Sequence, residues 1–346
     1  MSSFTETILA WYDANARDLP WRRTRDPYAV WLSEIILQQT RIAQGRAYWE
    51  RFMAAFPDVA ALAAASEDEV LRLWQGLGYY SRARNLHAAA KQIAATGRFP
   101  DTLEGIRALK GVGDYTAAAI GSIAFGLPAA VVDGNVYRVL ARHFGIATPV
   151  GTTAARKEFT ALAQSLLPPG RPGDFNQGMM DFGAMLCTPA APACLLCPLA
   201  GSCAALASGT VDRLPAMQKA SAVQTRRFDY VYIRFRGRTA IRKRGPGDIW
   251  QGLYEPLVAY DRGTVSPGPL CRFAPDAPDQ RPADARLIKA GVKHQLTHRT
   301  LLVDFYLWEP AAEPVLPEGY FWIEEAELDR YAKPRLFELL IEGLSN

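Results

Sequence analysis

The sequence predicts a mainly α-helical N-terminal part followed by a smaller α+β domain. Up to about residue 186, apolar residues recur at spacings of three and four, as on one face of a helix. From about residue 225 they alternate with polar residues, as in a strand. A chain of 346 residues, 49% of them apolar, can form two such domains. We therefore place a helical region at 1–215, a polar linker at 216–225 and the second domain at 226–346.

The helical region contains recognisable helix starts and stops. In SEDEVLRLWQGLG, Ser66 and Glu69 are predicted to form a capping box, and Gly76 is predicted to end the helix. Further helices are predicted in ARNLHAAAKQIAAT, RKEFTALAQSLL and NQGMMDFGAMLC. No strand is predicted before about residue 225.

The second domain combines strands with one closing helix. FDYVYIRF and RTAIRKR both alternate, and the Arg236–Gly237 turn between them predicts a hairpin. TLLVDFYLW and GYFWI predict two further strands, and KPRLFELLIEGL predicts a helix with proline at its start. Residues 261–283, rich in proline and aspartate, are predicted to be a loop.

Charge and composition exclude several classes of protein. The chain has 39 Lys and Arg against 35 Asp and Glu, so its bulk charge does not indicate a polyanion-binding protein. One stretch is locally basic, because residues 226–244 hold eight Lys and Arg against the single acid Asp229. We see no signal peptide and no apolar run near the roughly 18 residues of a membrane span. A soluble protein of a reducing compartment is expected.

Four of the five cysteines lie within 17 residues and predict a metal centre. They are Cys187, Cys194, Cys197 and Cys203. Thiolates that converge from one short loop suit an iron–sulfur cluster or zinc. We favour a [4Fe–4S] cluster because structural zinc sites usually pair two close Cys-x-x-Cys knuckles, and this loop has one. A zinc knuckle and, less readily, disulfides remain the alternatives, and the distant Cys271 is predicted to be a free thiol.

A glycine turn precedes an alanine-rich helix in LKGVGDYTAAAIGSIAFG. Gly111 and Gly113 would leave backbone N–H groups free at the helix N-terminus, which predicts a phosphate site. The alternative is an ordinary turn between packed helices. A weaker echo, LWQGLGYYSRARN, places tyrosines beside arginines, and these residue types stack on bases and pair with phosphates. Tyrosines of the hydrophobic core would give the same pattern.

Two carboxylates stand at the edges of apolar stretches. Glu34 lies in SEIILQQTRI, where polar residues follow an apolar run, and an exposed helix glutamate is the plain alternative. Asp133 lies in AAVVDGNVYRVLARHFG, just before a helix predicted to begin near Val136. Aspartate at that position is most often an N-cap, although a carboxylate there can also face a cleft.

Together these stretches resemble the helix-hairpin-helix DNA glycosylases with an iron–sulfur loop, and within them the MutY family of adenine DNA glycosylases. The resemblance covers residues 19–203 and rests on LPWRRTRDPYAVWLSEIILQQTRI, GLGYYSRARNLHAAA, LKGVGDYTAAAIGSIAFG, VVDGNVYRVLAR, FNQGMMDFGAMLCTP and the cysteine loop. The glycine turn and the cysteine spacing fit endonuclease III relatives equally well. The acid before the double glutamine, GLGYY and the second domain indicate the MutY family.

The resemblance implies a division of chemical roles. Glu34 would protonate N7 of adenine, and its position beside Trp31 and Leu32 predicts a raised pKa. Asp133 would stabilise the oxocarbenium-like sugar left behind. Tyr115 stands where bifunctional relatives carry a lysine, and a tyrosine cannot form a Schiff base. A monofunctional glycosylase that leaves the strand intact is therefore expected.

The resemblance also implies the binding residues. The adenine pocket would contain Trp21, Arg22 and Asp181, with aspartate where the family usually has glutamate. The gap left by the flipped base would be filled by Gln39, Thr40, Leu77 and Tyr79. The second domain resembles the family's Nudix-like domain but lacks the acidic metal-binding helix of nucleotide hydrolases. It would read 8-oxoguanine through Leu296, Thr297 and His298, the residues of KHQLTHRT that match the family loop.

The implied partner is double-stranded DNA that carries adenine opposite 8-oxoguanine or guanine, bound by a cytoplasmic, nucleoid-associated monomer without a membrane. Two alternatives remain. An endonuclease III-type bifunctional glycosylase would act on oxidised pyrimidines, and an iron–sulfur DNA-binding sensor would have no catalysis. Nucleotide hydrolysis by the second domain is disfavoured because its metal-binding helix is missing.

Overall fold

In the computed structural model, which describes residues 3–218, 223–262, 282–296 and 299–344, the chain forms two compact units. The first contains residues up to 64 and from 85 to 220, and the second contains 65–84 and the chain from 221 onward. The first is helical and the second combines helices with two sheets, so the predicted fold class is confirmed. None of the described helices has both the length and the apolar character needed to cross a bilayer.

The helices of the described residues follow the predicted order. They are α1 Phe4–Asn15, α2 Pro27–Leu37, α3 Ile42–Ala55, α4 Val59–Ala64, α5 Glu67–Trp74, α6 Ser81–Thr96, α7 Leu103–Arg107, α8 Asp114–Phe125, α9 Gly134–Phe144, α10 Thr153–Ser165, α11 Pro172–Met185, α12 Ala204–Ala207 and α13 Arg335–Leu344. Short 3-10 turns cover Pro20–Arg22, Cys194–Leu196, Ala200–Ser202 and Glu325–Arg330. The capping box before α5 is present, with the Ser66 hydroxyl accepting from the Glu69 amide. All six predicted helices of the first 186 residues are confirmed, as α5, α6, α8, α9, α10 and α11.

Small residues let the central helices of the first unit approach closely. Almost every residue of α2 is buried, and α2 packs against α8 while α11 packs against α1, α8 and α9. A Cβ added at Gly183 of α11 would lie 2.7 Å from the Cβ of Asn135 on α9. One added at Gly173 would lie 2.7 Å from the carbonyl oxygen of Ser122 on α8. This crossing of α2, α8, α9 and α11 brings the functional side chains together.

The second unit contains two sheets. The strands are β1 Gln224–Ile233, β2 Arg238–Lys243, β3 Tyr254–Glu255, β4 Leu257–Arg262, β5 Arg286–Gln295, β6 Arg299–Trp308 and β7 Tyr320–Glu324. One sheet has the order β4-β1-β6-β5 and the other has the order β3-β2-β7. β1 and β6 run parallel, and the remaining pairs are antiparallel.

The predicted hairpin between β1 and β2 needs a correction. The turn is present, with positive φ at Arg236 and Gly237 and a single bridge between Phe235 and Arg238. The two strands then separate, because β1 pairs with β6 over its full length while β2 pairs with β3 and β7. Local alternation therefore found the strands and the turn but not their partners.

The remaining predictions for this unit have mixed outcomes. The strands in TLLVDFYLW and GYFWI and the closing helix are confirmed as β6, β7 and α13. Strands β3, β4 and β5 were not predicted. β5 is mostly exposed and interrupted by two register shifts, which removes the alternation that marks a strand. The predicted loop at 261–283 lies mostly outside the described residues, and its first two residues end β4.

Residues 65–84 belong to the second unit, although they lie within the predicted helical region. The Asp68 carboxylate accepts from Lys243 Nζ at 2.5 Å and from the Tyr254 hydroxyl at 3.1 Å. A Cβ added at Gly252 would lie 3.1 Å from Cδ1 of Leu71. The structural division is thus discontinuous in sequence, which differs from the predicted boundary.

Candidate active site

One cavity of the first unit collects the three predicted catalytic residues and two of the three predicted adenine-pocket residues. Its volume is about 200 Å³. Its walls are formed by the turn at Pro20–Arg22, by α2 and the residues after it, and by α8, α9 and α11; the residues are Arg17, Leu19, Trp21, Arg22, Val30, Ser33, Glu34, Leu37, Thr40, Ile42, Tyr115, Ile123, Asp133, Asn135, Gln177, Met180 and Ala184. Both predicted catalytic carboxylates, far apart in the chain, therefore face the same space.

Glu34 lies in the last turn of α2, next to fully buried Trp31 and Leu32. Burial raises the pKa of its carboxyl to about 7, against the lowering effect of Arg22. The charge of Asp133 raises this pKa further, while a hydrogen bond from Tyr115 lowers it. The raised pKa agrees with the expectation from the apolar neighbours in the sequence. At neutral pH the side chain is available both with and without its proton.

Asp133 is both the N-cap of α9 and a wall of the cavity. Its Oδ1 accepts from the Val136 amide at 2.8 Å, and its Oδ2 accepts from Nδ2 of Asn135 at 2.8 Å. Burial raises the pKa of this carboxyl, and the two hydrogen bonds oppose that effect. The two alternatives left open by the sequence, a cap and a cleft residue, are thus both true of one side chain.

Tyr115 is placed by the glycine turn before α8. Gly111 has φ of +77°, and a Cβ there would lie 2.6 Å from the Cβ of Asn85, so only glycine fits this turn. Gly113 caps α8 without any side-chain hydrogen bond. The Tyr115 hydroxyl donates to Sδ of Met180 at 3.5 Å, and the hydroxyl faces the same cavity as Glu34. Burial and the charges of Glu34 and Asp133 raise the pKa of Tyr115 well above its ordinary value, so the hydroxyl stays a donor.

Asp181 lies behind the cavity rather than in its wall. Its side chain is fully buried and binds two arginines, Arg22 through Nη1 and Nη2 at 2.5 and 2.8 Å and Arg17 through Nε at 2.8 Å. Burial would raise the pKa of this carboxyl, but the hydrogen bonds and charges of the two arginines hold it below its ordinary value. Both arginines line the cavity. The predicted pocket residue Asp181 therefore reaches the cavity only through its partners.

Of the other residues predicted to contact the flipped base or fill its gap, some line the cavity and some do not. Trp21 is buried, lies 5.8 Å from the ring of Trp49 in an edge-on contact and also lines the cavity, so it both packs in the core and faces the site. Thr40 lines the cavity, whereas Gln39 is exposed with φ of +55° just after α2. Sequence reasoning missed Arg17, Asn135, Gln177 and Met180. Only Asn135 had a usable signal, through its position in the turn after Asp133.

Leu77 and Tyr79 lie in the segment 65–84 of the second unit. Leu77 is buried, whereas Tyr79 is about half exposed and has φ of +48°. A positive φ at a bulky residue is uncommon and marks a backbone that its surroundings hold in place. Its ring lies 5.6 Å from the Arg82 guanidinium carbon, so the tyrosine and arginine of the second glycine turn lie side by side.

The cysteine loop follows α11 directly. Within the described part of the chain, no three or more His, Cys, Asp or Glu side chains form a group that could hold a metal ion. The charges of the other three thiols nevertheless act on Cys197, whose pKa is raised mainly by burial. Arg142 Nη1 lies 3.4 Å from Sγ of Cys187. The loop supplies four soft thiol donors with a guanidinium beside one of them, and this donor type fits an iron–sulfur cluster. Cys271 lies outside the described residues.

Several cations of the basic stretch 226–244 form ion pairs within the protein. Arg242 and Arg244 bind the fully buried carboxylate of Glu255, and Arg226 binds Asp248 at 2.8 Å. Arg234, Arg238 and Lys243 also bind acids, so six of the eight cations are paired within the protein. Of the predicted 8-oxoguanine-reading residues, Leu296 is partly buried and its amide donates to the Arg299 carbonyl at 2.8 Å. The other two, Thr297 and His298, lie outside the described residues.

Comparison with known proteins assigns a family to each part of the chain. The family model for HhH-GPD superfamily base excision DNA repair proteins matches residues 32–168, and the NUDIX domain model matches 229–343. The adenine DNA glycosylase of Homo sapiens is 44% identical over 239 residues, a match that covers 63% of this chain and 44% of the human protein. The chain thus spans less than half the length of that relative.

Two further matches cover more of the matched protein. The adenine DNA glycosylase of Buchnera aphidicola subsp. Acyrthosiphon pisum (strain APS) is 35% identical over 254 residues, with 72% of this chain and 73% of that protein covered. Among solved structures, a thermostable thymine-DNA glycosylase superimposes with a TM-score of 0.54 at 33% identity. That match covers 59% of this chain and 95% of the glycosylase.

Proposed function

Because this chain belongs to the MutY family of adenine DNA glycosylases, we propose that it removes adenine from DNA by hydrolysing the N-glycosidic bond. The observation that carries the proposal is the convergence of Glu34, Tyr115 and Asp133 on one cavity. At about 200 Å³ the cavity is smaller than the roughly 300–1,000 Å³ of sites for drug-sized ligands. It suits a single base extruded from the duplex.

Glu34 acts as the general acid. With a pKa of about 7, a substantial fraction of its carboxyl carries a proton at neutral pH. That proton passes to N7 of adenine, the bond between C1′ and N9 breaks, and its electron pair stays on N9. The departing base is then neutral adenine rather than an anion, and an oxocarbenium-like sugar remains. Tyr115, which faces the same cavity and lowers the pKa of Glu34, would orient the acid.

Asp133 acts as the fixed negative charge beside the sugar. Hydrogen bonds from Val136 and Asn135 hold the carboxylate before the reaction begins, so that it stabilises the positive charge without rearrangement. Water then adds to C1′ and gives its proton to the Glu34 carboxylate. No lysine is among the described residues that line the cavity, so no amine is available there for a Schiff base. This supports a monofunctional glycosylase.

The substrate that we propose is double-stranded DNA with adenine opposite 8-oxoguanine or guanine, bound by a monomer. Trp21 and Arg22 would contact the extruded adenine, and the free N–H groups after Gly113 would bind a backbone phosphate. Gln39, Thr40, Leu77 and Tyr79 would fill the gap in the duplex. The second unit would read the opposite base through Leu296, Thr297 and His298, as the family resemblance implies.

We infer that Cys187, Cys194, Cys197 and Cys203 hold a [4Fe–4S] cluster. Such a cluster, when bound, supplies a charged centre that ties the loop after α11 together. Arg142 would donate to the sulfur of Cys187, and Arg138, which donates to the Cys187 carbonyl at 2.7 Å, would fix the loop against α9. Analysis of iron and sulfide in the purified protein tests this, and a content of zinc without sulfide would contradict it.

The function is tested with a duplex that carries adenine opposite 8-oxoguanine, resolved on a gel before and after hot alkali. A break at the adenine that requires alkali, together with free adenine in solution, supports the proposal. A break without alkali would indicate a bifunctional glycosylase, and an intact strand in both lanes would indicate a DNA-binding protein without catalysis. A duplex with adenine opposite thymine is the matched control for opposite-base recognition.

A further inference from the structure

We propose that Asp181 is a positioning residue whose buried carboxylate holds the guanidinium of Arg22 away from Glu34, so that the catalytic acid retains its proton. The inference rests on the proposed function, because it concerns the acid of that reaction. It differs from the place in the adenine pocket that the family resemblance gave Asp181.

The carboxylate of Asp181 has no acceptor position left for a substrate. Its Oδ1 accepts from Arg17 Nε and Arg22 Nη2, both at 2.8 Å. Its Oδ2 accepts from Arg22 Nη1 at 2.5 Å and from the Arg17 backbone amide at 3.2 Å. Arg17 Nη2 also donates to Oδ1, so five bonds occupy the roughly four lone-pair positions that a carboxylate offers. Contact with an adenine amine would therefore require an arginine to leave a carboxylate that is fully buried.

The same contacts determine where Arg22 points. Both of its terminal nitrogens bind Asp181, and such a bidentate pair fixes the plane of the guanidinium. Arg22 nevertheless lines the cavity together with Glu34, and its charge is the largest influence that lowers the pKa of that acid. The other groups that act on Glu34 are Asp133, whose charge raises the pKa, and Tyr115, whose hydrogen bond lowers it.

Loss of the negative charge at Asp181 would leave Arg22 facing the carboxyls of the cavity. An arginine beside a carboxylate lowers its pKa by about one to three units. A smaller fraction of Glu34 would then carry a proton at neutral pH, and the excision rate would fall with that fraction. The protonation of Glu34 thus depends on Asp181, because both carboxyl groups interact with the guanidinium of Arg22.

The test is the pH dependence of the single-turnover excision rate on a duplex with adenine opposite 8-oxoguanine. In the wild-type chain the rate should fall as the pH rises through about 7, where Glu34 loses its proton. Asp181→Asn should move this midpoint down by about one unit, which lowers the rate about tenfold near pH 8 and less than about twofold near pH 5.5. Arg22→Met should move the midpoint upward, because it removes the charge that favours the carboxylate.

Three further variants separate this role from others. Asp181→Asn combined with Arg22→Met should show the midpoint of Arg22→Met alone, because the cation through which Asp181 acts is gone. Asp181→Glu keeps the charge and should keep the wild-type midpoint. Asp13→Asn is the matched control, since its exposed carboxylate binds only Arg171 among the described arginines and should leave the midpoint unchanged.

An unshifted midpoint in Asp181→Asn, or the same downward shift in the double variant, would overturn the proposal. So would a lower rate at every pH together with weaker binding to an uncleavable 2′-fluoro-adenosine duplex, which would indicate direct contact with the base. An inactive wild-type protein would instead contradict the proposed function. The midpoint does not depend on the fraction of active protein, so partial unfolding of a variant does not hide the answer.

Discussion

At the scale of single residues, the cavity gives its two carboxyls different surroundings. Burial raises the pKa of Glu34 to about 7, and Arg22 limits that rise. Burial also raises the pKa of Asp133, and hydrogen bonds from Val136 and Asn135 oppose that rise. Surroundings that separate the pKa values of two neighbouring carboxyls give each a different role. Tyr115 contributes a donor that stays protonated.

Glu34→Gln should abolish the acid and stabilise the fold at high pH. General acid catalysis typically contributes about 10²–10⁴-fold, and the excision rate should fall by that order. The folded pKa of Glu34 lies above its ordinary value, so its contribution to stability is present below about pH 4.5 and is lost as the pH rises through about 7. Chemical unfolding near pH 8 should therefore show the variant more stable by about 1–3 kcal/mol.

The matched control for this variant is Glu50→Gln, which removes an exposed carboxylate that binds Arg46. It should change unfolding by less than about 0.5 kcal/mol and leave the rate unchanged. Equal stability of Glu34→Gln and wild type near pH 8, with retained turnover, would contradict the assignment of Glu34 as a buried acid.

Asp133→Asn should distinguish the role of Asp133 as the N-cap of α9 from its proposed role in excision. Asparagine caps helices about as well as aspartate, so the free energy of unfolding should change by less than about 1 kcal/mol. The rate should fall by about 10³-fold or more, because the neutral amide cannot stabilise a positive sugar. Unfolding and single-turnover assays on the same preparation measure both effects. A large loss of stability with a proportionate loss of rate would favour a purely structural aspartate.

At the scale of elements, the site depends on how closely α9 and α11 approach. Gly183 of α11 faces Asn135, the residue that donates to Asp133. Arg138 of α9 donates to the carbonyls of Gly183 and Cys187 at 2.6 and 2.7 Å. The crossing therefore connects Asp133 to the start of the cysteine loop through neighbouring side chains.

Gly183→Ala should separate these two helices. The added Cβ would meet the Cβ of Asn135 at 2.7 Å and its carbonyl oxygen at 2.9 Å, and overpacking of this kind costs about 1–3 kcal/mol. Displacement of Asn135 should also lower the excision rate. Gly170→Ala is the control, because nothing lies within 4 Å of a Cβ there. If both variants unfold at the same denaturant concentration, Gly183 is not required for the close approach of α9 and α11.

At the scale of the whole molecule, the chain forms units that are not continuous in sequence. Residues 65–84, which carry Leu77 and Tyr79, are held in the second unit by Asp68 and by the contact between Leu71 and Gly252. We therefore expect the segment proposed to enter the duplex gap to respond to changes in the domain proposed to read the opposite base.

Gly252→Ala should weaken this attachment. Its φ is +83°, and an added Cβ would lie 3.1 Å from Leu71 and 3.2 Å from Glu67. We expect a loss of about 1–3 kcal/mol in unfolding and faster proteolysis within 65–84. Gly247→Ala is the control for backbone strain, since its φ is +91° but nothing lies within 4 Å. Equal effects of the two substitutions would show that strain alone is responsible.

The sequence by itself determined the local features of this protein. Neighbouring residues predict the capping box at Ser66, the cap at Asp133 and the glycine turn at Gly111. Turns and helix ends depend on short-range hydrogen bonds and allowed φ angles. The four-cysteine loop and the change from helical to alternating spacing are local in the same sense. The family resemblance then singled out Glu34 as the acid.

Only the tertiary structure decided which distant groups meet. Glu34 and Asp133 share a cavity because α2, α8, α9 and α11 cross closely, and side-chain packing between elements has no periodic signal in the sequence. The same holds for β1, whose partner is β6 rather than β2, and for the saturation of Asp181 by two arginines. Burial and charge pairing are properties of the assembled surroundings, so the sequence could supply the groups but not their pKa values.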